Sequence, residues 1–314
     1  MSTQSSIAYL FPGQGSQYVG MGRELIENFT AAKKVFDTAR EVLGYSIEEI
    51  CTRGPEETLT RTVYAQPAIF VTSIAALRVL AQKFPGLKPA LAAGLSLGEF
   101  TALVAAGSIR FEDGLVLVKK RAEAMEQSAI NNPGTMASVI GLTQNECVAI
   151  AKHTGCEIAN LNSPDQIVLS GNLEAITAAC RLAEEGGAKR AIPLKVGGAF
   201  HSSLMKDAQT QLQSALSTTK IAPPECVFIP NASSVPATQP DEIRNLLALQ
   251  LVSPVRWTET MLRASNRDIQ FAIEIGPGKV LRGLARKCNC SFTVEPCELK
   301  GDFEKLEHGI LKPL

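Results

Sequence analysis

The chain has 314 residues, 45% of them apolar and 20% charged, which suits a globular protein with a sizeable core and excludes a disordered or fibrous one. Lys plus Arg equals Asp plus Glu at 31 each, so bulk charge gives no argument for a nucleic-acid or membrane partner. The N-terminus has no basic region leading into an apolar one, no run approaches membrane-spanning length, and the eight cysteines are scattered. Reduced thiols in a cytoplasm are therefore expected, rather than a disulfide framework.

Ile7-Ala8-Tyr9-Leu10-Phe11 reads as a short buried strand, broken by Pro12-Gly13-Gln14-Gly15-Ser16-Gln17. Such a glycine-rich loop is a plain turn or a cradle whose N–H groups hold an oxyanion. Residues 30–43 carry an apolar helical face through Val35, Phe36, Ala39, Val42 and Leu43, stopped by Gly44. Ser46-Ile47-Glu48-Glu49 has a capping-box pattern. Gln66-Pro67 is read as opening the next helix, with Pro67 at its first position and Gln66 at its mouth, as a cap or facing a site.

The short apolar run Ala90-Leu91-Ala92-Ala93 leads into Gly94-Leu95-Ser96-Leu97-Gly98, and a helix-like stretch to residue 106 follows. Strand, sharp turn and helix with G-x-S-x-G at the turn is the context of a nucleophile elbow; the other reading is an ordinary glycine-rich turn. A second long helix is expected over 111–128, striped by Leu115, Val118, Ala122 and Met125. At about 100° per residue, Arg121 falls roughly 40° beyond that stripe, either snorkelling or clamping a carboxylate from a pocket wall.

The pattern then changes. A strand (136–142), a helix (144–153), two strands (156–160 and 166–170), a helix (173–185) and a strand (188–194) give the order βαββαβ of a ferredoxin-like unit. Residues 133–195 are thus expected to form a small ferredoxin-like domain inserted into a large α/β domain of residues 1–132 and 196–314. Of three histidines, only His201 sits in a glycine-rich loop at a helix start; it suits a base for a serine nucleophile, or a cap. Gly276-Pro277-Gly278-Lys279 after an apolar strand hints at phosphate binding but lacks P-loop spacing. Cys288 and Cys290 have no histidine or second cysteine pair nearby, so no metal site is expected.

Together these pieces resemble the malonyl-CoA:acyl carrier protein transacylases of fatty acid synthesis and their polyketide relatives. The resemblance spans nearly the whole chain. It is carried by Phe11-Pro-Gly-Gln-Gly-Ser-Gln17, Gln66-Pro67-Ala68, Gly94-x-Ser-Leu-Gly-Glu99, the Arg121 helix, Asn162-Ser163-Pro164, Gly198-Ala-Phe-His201, Gln250-Leu-x-x-Pro-Val-x-Trp257 and Glu274-x-Gly-Pro-Gly278. It implies an α/β fold with an α/β-hydrolase-like large domain. It further implies Ser96 as nucleophile, His201 as base, the Gln250 carbonyl orienting the imidazole, and the N–H groups of Gln14 and Leu97 as oxyanion hole. Arg121 would pair with the malonyl carboxylate, and Gln66, Phe200, Met125 and Asn162 would line the site. Phe200 matches the malonyl-selective form of its motif. One departure stands out: Leu95 occupies a position where the family usually has histidine.

The implied activity is ping-pong transfer of malonyl from malonyl-CoA to the phosphopantetheine thiol of a holo acyl carrier protein. The CoA thioester and phosphopantetheine are then substrates, and no cofactor is required. A cytoplasmic monomer without nucleic-acid or membrane partners is implied. Carrier-protein acyl hydrolysis and trans-acting polyketide acyl transfer are the alternatives.

Overall fold

The computed structural model of the chain describes residues 6–310; residues 1–5, which were read for a targeting leader, lie outside them. Nine strands are present among the described residues: β1 Ile7–Phe11, β2 Leu91–Gly94, β3 Thr135–Ile140, β4 Glu157–Ser163, β5 Gln166–Gly171, β6 Arg190–Pro193, β7 Val227–Phe228, β8 Phe271–Ile275 and β9 Thr293–Cys297.

Five of them form one sheet in the order β7-β2-β1-β8-β9, with every neighbouring pair parallel. The near-continuous apolar runs are explained by helices on both faces. Tyr9, Phe11, Ile273 and Ile275 point into the larger core, which includes Phe36, Phe70 and Leu115 from the helices Thr30–Leu43, Thr62–Lys83 and Phe111–Asn131. Their alternating neighbours Ala8, Leu10 and Ala272 pack on the other face, against Trp257, Met261, Leu281 and Leu284.

The other four strands form an antiparallel sheet, order β4-β5-β3-β6. Cys147 and Ala151 from the helix Gln144–Thr154, and Ile176 and Ala179 from Leu173–Glu185, pack together with its strands in a separate core. This is the ferredoxin-like unit expected from the element order. It is tied to the large sheet's domain by a strand-like pairing. Val255 N–H donates to Ala159 O at 2.8 Å, and Leu161 N–H donates to Val255 O at 2.9 Å.

Three expectations change. The helix at Gln66 begins earlier, at Thr62, and Pro67 lies inside it rather than at its first position. The missing Pro67 N–H costs one early backbone bond, and burial of Ala65 through Ala76 on all sides holds the helix together regardless. That helix, 22 residues long, also has the length and apolarity to cross a membrane, yet 78% of its most apolar window is buried inside the protein. It is the core helix.

The apolar stretch 280–288 reads from sequence as a last helix, but β9 and the helix Lys300–Lys305 follow the helix Val280–Lys287. Pro296 is compatible with β9 because β9 is an edge strand. The phosphate reading of Gly276–Lys279 also fails. The Glu274 carboxylate accepts from Leu281 N–H and Arg282 N–H at 2.9 Å each, so a side chain of the chain itself already occupies the anion position. All eight cysteines are free thiols, and among the described residues no three His, Cys, Asp or Glu side chains gather as a metal cluster.

Candidate active site

Ser96 lies two residues beyond the end of β2 and has a φ of 52°, a left-handed backbone that a non-glycine residue adopts at a cost. The strained turn lifts the hydroxyl above the carboxyl edge of the parallel sheet. Its flanking glycines are required by packing. A Cβ on Gly94 would stand 1.9 Å from the Gly98 carbonyl carbon, and one on Gly98 would stand 2.1 Å from the Phe11 carbonyl oxygen. Both obstacles are backbone and cannot move aside. Gly98→Ala is therefore expected to destabilise the fold by about 3 kcal/mol, the upper range for overpacking. A thermal melt should show it as a Tm lower by roughly 6–12 °C.

The loop after β1 lies against this turn. Leu95 N–H donates to Phe11 O at 3.0 Å, and a Cβ on Gly13 would stand 2.3 Å from Leu95 O. Gln14 follows Gly13 and Leu97 follows Ser96, so both adjoin this contact between loop and turn. Neither backbone N–H has a protein acceptor among the described residues. Such a pair of free donors is what a developing oxyanion requires. Leu95, the residue in place of the family's histidine, is half-buried and packs at the edge of the smaller core.

His201 is also left-handed, with φ 58°, in the loop that leads into the short turn Ser203–Met205 and then the helix Lys206–Ser217. Its expected place at the start of a helix is thus a few residues too early. Ser96 Oγ–H donates to His201 Nε2 at 2.8 Å, and His201 Nδ1–H donates to the Gln250 carbonyl at 2.8 Å. The carbonyl can only accept, so it dictates the tautomer and leaves the Nε2 lone pair facing the serine. Burial, and then the Arg121 charge, push the imidazole down to about 4. The ring is neutral at pH 7, as a base must be before it takes a proton.

Arg121 is not at the border of buried surface, as its position on the helical stripe predicted, but 1% exposed. The helix Phe111–Asn131 is covered on more than one side, with Leu117 and Ala124 buried as well as the Leu115–Met125 stripe. Its Nη1 donates to Gln66 Oε1 at 2.6 Å, and its Nη2 donates to Gln250 Oε1 at 2.8 Å and to Ser96 Oγ at 3.0 Å. The Phe100 ring lies beneath it, 5.6 Å from the guanidinium carbon. Desolvation lowers Arg121 to about 10, so it remains a cation at neutral pH. Its Nε is buried without a hydrogen-bond partner among the described residues. A cation with an unspent donor, fixed beside a nucleophile, is equipped to receive a carboxylate.

Gln66 is fully buried inside its helix, and its Nε2 donates to the Met125 sulfur at 3.3 Å, which fixes the orientation of the amide that Arg121 meets. Phe200 is buried directly before His201. Asn162 stands apart from this network: it lies on β4, and its carbonyl accepts from the Cys288 thiol at 3.7 Å.

Two residues that sequence reasoning did not single out join the site. Asn231 Oδ1 accepts from Ser96 N–H at 2.6 Å, while its Nδ2 donates to Gly94 O at 2.7 Å. Glu99 accepts from Gln250 Nε2 at 2.5 Å and from Asn231 N–H at 3.1 Å. The available signal was chemical: Glu99 is the one charged residue in the mostly apolar helix Gly98–Ala105, and a buried charge needs a purpose. The Gln250 side chain was also missed, because only its carbonyl was expected to act.

A parallel sheet with an inserted ferredoxin-like unit, a serine on a strained elbow, a neutral imidazole and a pair of free N–H donors make an arrangement suited to acyl transfer through a serine. The family model described as the acyl transferase domain matches residues 8–309. The malonyl CoA-acyl carrier protein transacylase of Bacillus subtilis is 43% identical over 290 residues, covering 91% of each chain. The crystal structure of an acyl carrier protein S-malonyltransferase from Vibrio cholerae superimposes with a TM-score of 0.92 at 37% identity, over 96% of this chain and 100% of that one. A malonyl-transacylase in complex with its type II polyketide acyl-carrier protein gives a TM-score of 0.91 at 35% identity, over 95% of this chain and 98% of that one. The chain belongs to the acyl transferase family, among the malonyl CoA-acyl carrier protein transacylases.

Proposed function

We propose that this protein transfers malonyl from malonyl-CoA to the phosphopantetheine thiol of a holo acyl carrier protein, supplying extender units for fatty acid synthesis. The observation that carries the reading is the buried Arg121 guanidinium, 3.0 Å from Ser96 Oγ and with its Nε unspent. An acyl group ending in a carboxylate satisfies that free donor; an acetyl group leaves the buried Nε without a partner. Gln66, held by Met125, fixes the guanidinium from the far side, and Phe200 is buried beside His201; Asn162, which stands apart, takes no part in this reading.

In the first half-reaction His201 Nε2 takes the Ser96 proton as Oγ attacks the thioester carbonyl. The N–H groups of Gln14 and Leu97 hold the oxyanion of the tetrahedral intermediate. The C–S bond breaks, His201 returns the proton to the CoA thiolate, and malonyl remains as an ester on Ser96. In the second half His201 deprotonates the carrier thiol, which attacks that ester, and Ser96 leaves with the proton. Nucleophile, base and oxyanion donors all belong to one chain, so this reading needs no cofactor and no second copy. Eight free thiols suit a reducing cytoplasm.

The test is intact-protein mass after mixing with malonyl-CoA or acetyl-CoA, followed by holo carrier protein. A malonyl adduct on Ser96, not formed from acetyl-CoA and discharged by the carrier protein faster than by water, is the expected result. An adduct that water removes as fast as the carrier protein does would instead identify a hydrolase.

A further inference from the structure

Glu99 takes part in no step above, yet it is fully buried in the helix that starts at the elbow. A carboxylate so placed is costly unless its partners compensate it. Oε2 accepts from Gln250 Nε2 and from Asn231 N–H, and Oε1 has no partner among the described residues. Both partners reach the reacting groups. Gln250 presents its carbonyl to His201 and also donates from Nε2 to Ser96 O at 3.0 Å. Asn231 receives the Ser96 N–H. The Gln250 amide also lies between opposite charges, its Nε2 toward Glu99 and its Oε1 toward Arg121 Nη2.

We propose that Glu99 is a positioning residue for acyl transfer: its carboxylate, acting through Gln250 and Asn231, aligns His201 and the Ser96 elbow and serves as the internal counter-ion of Arg121. In a Ser-His-Asp triad the acid touches the imidazole directly. Here the acid stands one residue further back and works through an amide and a carbonyl. Its charge has a second effect. When His201 takes the serine proton, an imidazolium forms beside the Arg121 cation, and the Glu99 anion offsets that repulsion.

The inference rests on the malonyl-transfer reading and is tested with the same reaction. Single-turnover malonylation of Ser96 at pH 8 gives a rate constant and a half-saturating malonyl-CoA concentration. Glu99→Gln keeps the shape and an acceptor oxygen but removes the charge. It is expected to lower the rate constant about 30-fold. The half-saturating concentration is expected not to rise, because Arg121 still faces the malonyl carboxylate and has lost its internal competitor.

A second signature is the pH profile. The charge acting on Glu99 is Arg121, lowered to about 10, and His201, reached through Gln250, is lowered to about 4. Burial raises the Glu99 carboxyl to about 7, between those two groups; Glu274 and Glu298, also raised to about 7, are bound up with Leu281, Arg282, Tyr18 and Gly278 instead. The wild-type rate is expected to fall as pH drops through about 7, and Glu99→Gln is expected to lack that limb. Gln250→Met cuts the link from its other end while keeping the backbone carbonyl. It is expected to lose rate by a similar factor, and the double variant to be no slower than either single one.

A wild-type rate in Glu99→Gln would overturn the inference, as would a parallel loss of rate and binding with the pH limb intact. Should Glu99→Gln fail to fold, Gln250→Met at wild-type rate would overturn it equally. The proposed function itself fails if the wild type accepts no malonyl; the Glu99 inference fails if the wild type and Glu99→Gln accept it equally fast.

Discussion

His201→Ala is expected to slow malonylation of Ser96 by about 10³-fold, within the usual range for loss of a general base. Quenched-flow mass spectrometry of the malonyl-enzyme measures it. Ser96 Oγ has one other polar neighbour close enough to matter, Arg121 Nη2 at 3.0 Å, and a guanidinium donates protons without accepting them. Among the described residues nothing else at hydrogen-bonding distance can take the serine proton. A rate within tenfold of wild type would move the base elsewhere. The same residue gives stability a pH dependence of definite sign. The folded ring resists protonation down to about 4, against 6.5 for the ordinary imidazole. Between those values the unfolded chain binds the proton and the folded one does not, so this contribution is present above 6.5 and is lost as pH falls through about 4. Its size is about 3 kcal/mol. In melts, the difference in stability between wild type and His201→Ala should therefore shift against the wild type on acidification across that interval.

Arg121→Ala is expected to lower kcat/KM for malonyl-CoA about 100-fold, the upper end for a charge-assisted hydrogen bond in a buried site. Little loss is expected for acetyl-CoA. The malonyl preference, rather than the acyl-transfer chemistry, is what should collapse. Removing Arg121 also strips the donor from Gln66 Oε1 and from Gln250 Oε1, so some disturbance of His201 is expected through Gln250. Arg121→Lys separates the two effects. It keeps the charge without the planar fork and should retain part of the malonyl preference. An Arg121→Ala enzyme that still favours malonyl over acetyl would show that another group reads the carboxylate.

The elbow, the dyad and the inserted domain were legible because each leaves a local trace. G-x-S-x-G sits between an apolar run and a helix, His201 is the one histidine in a glycine-rich loop, and the βαββαβ order needs only short-range periodicity. The strand β9 was not legible because Glu295 and Pro296 break its apolar run, and only pairing with β8 makes it a strand. Pro67 was misplaced because propensity reads proline as a starting residue, whereas tertiary burial carried the helix through it. Arg121 was put at an edge because one stripe was counted and the helix is covered more widely. The Glu99, Asn231 and Gln250 contacts join residues 132 and 151 positions apart, and no periodicity within a single element reports contacts of that range.

The order of the site along the chain has a consequence for synthesis. Ser96 precedes His201 by 105 positions and the carbonyl-bearing Gln250 by 154, with the whole ferredoxin-like unit made in between. A nascent chain that has exposed its serine has no base, and one that has added His201 still lacks the acceptor that sets the ring's tautomer. The three parts of the proposed site are thus made in the order nucleophile, base and tautomer-setting acceptor, and a chain interrupted between any two of them carries an incomplete site.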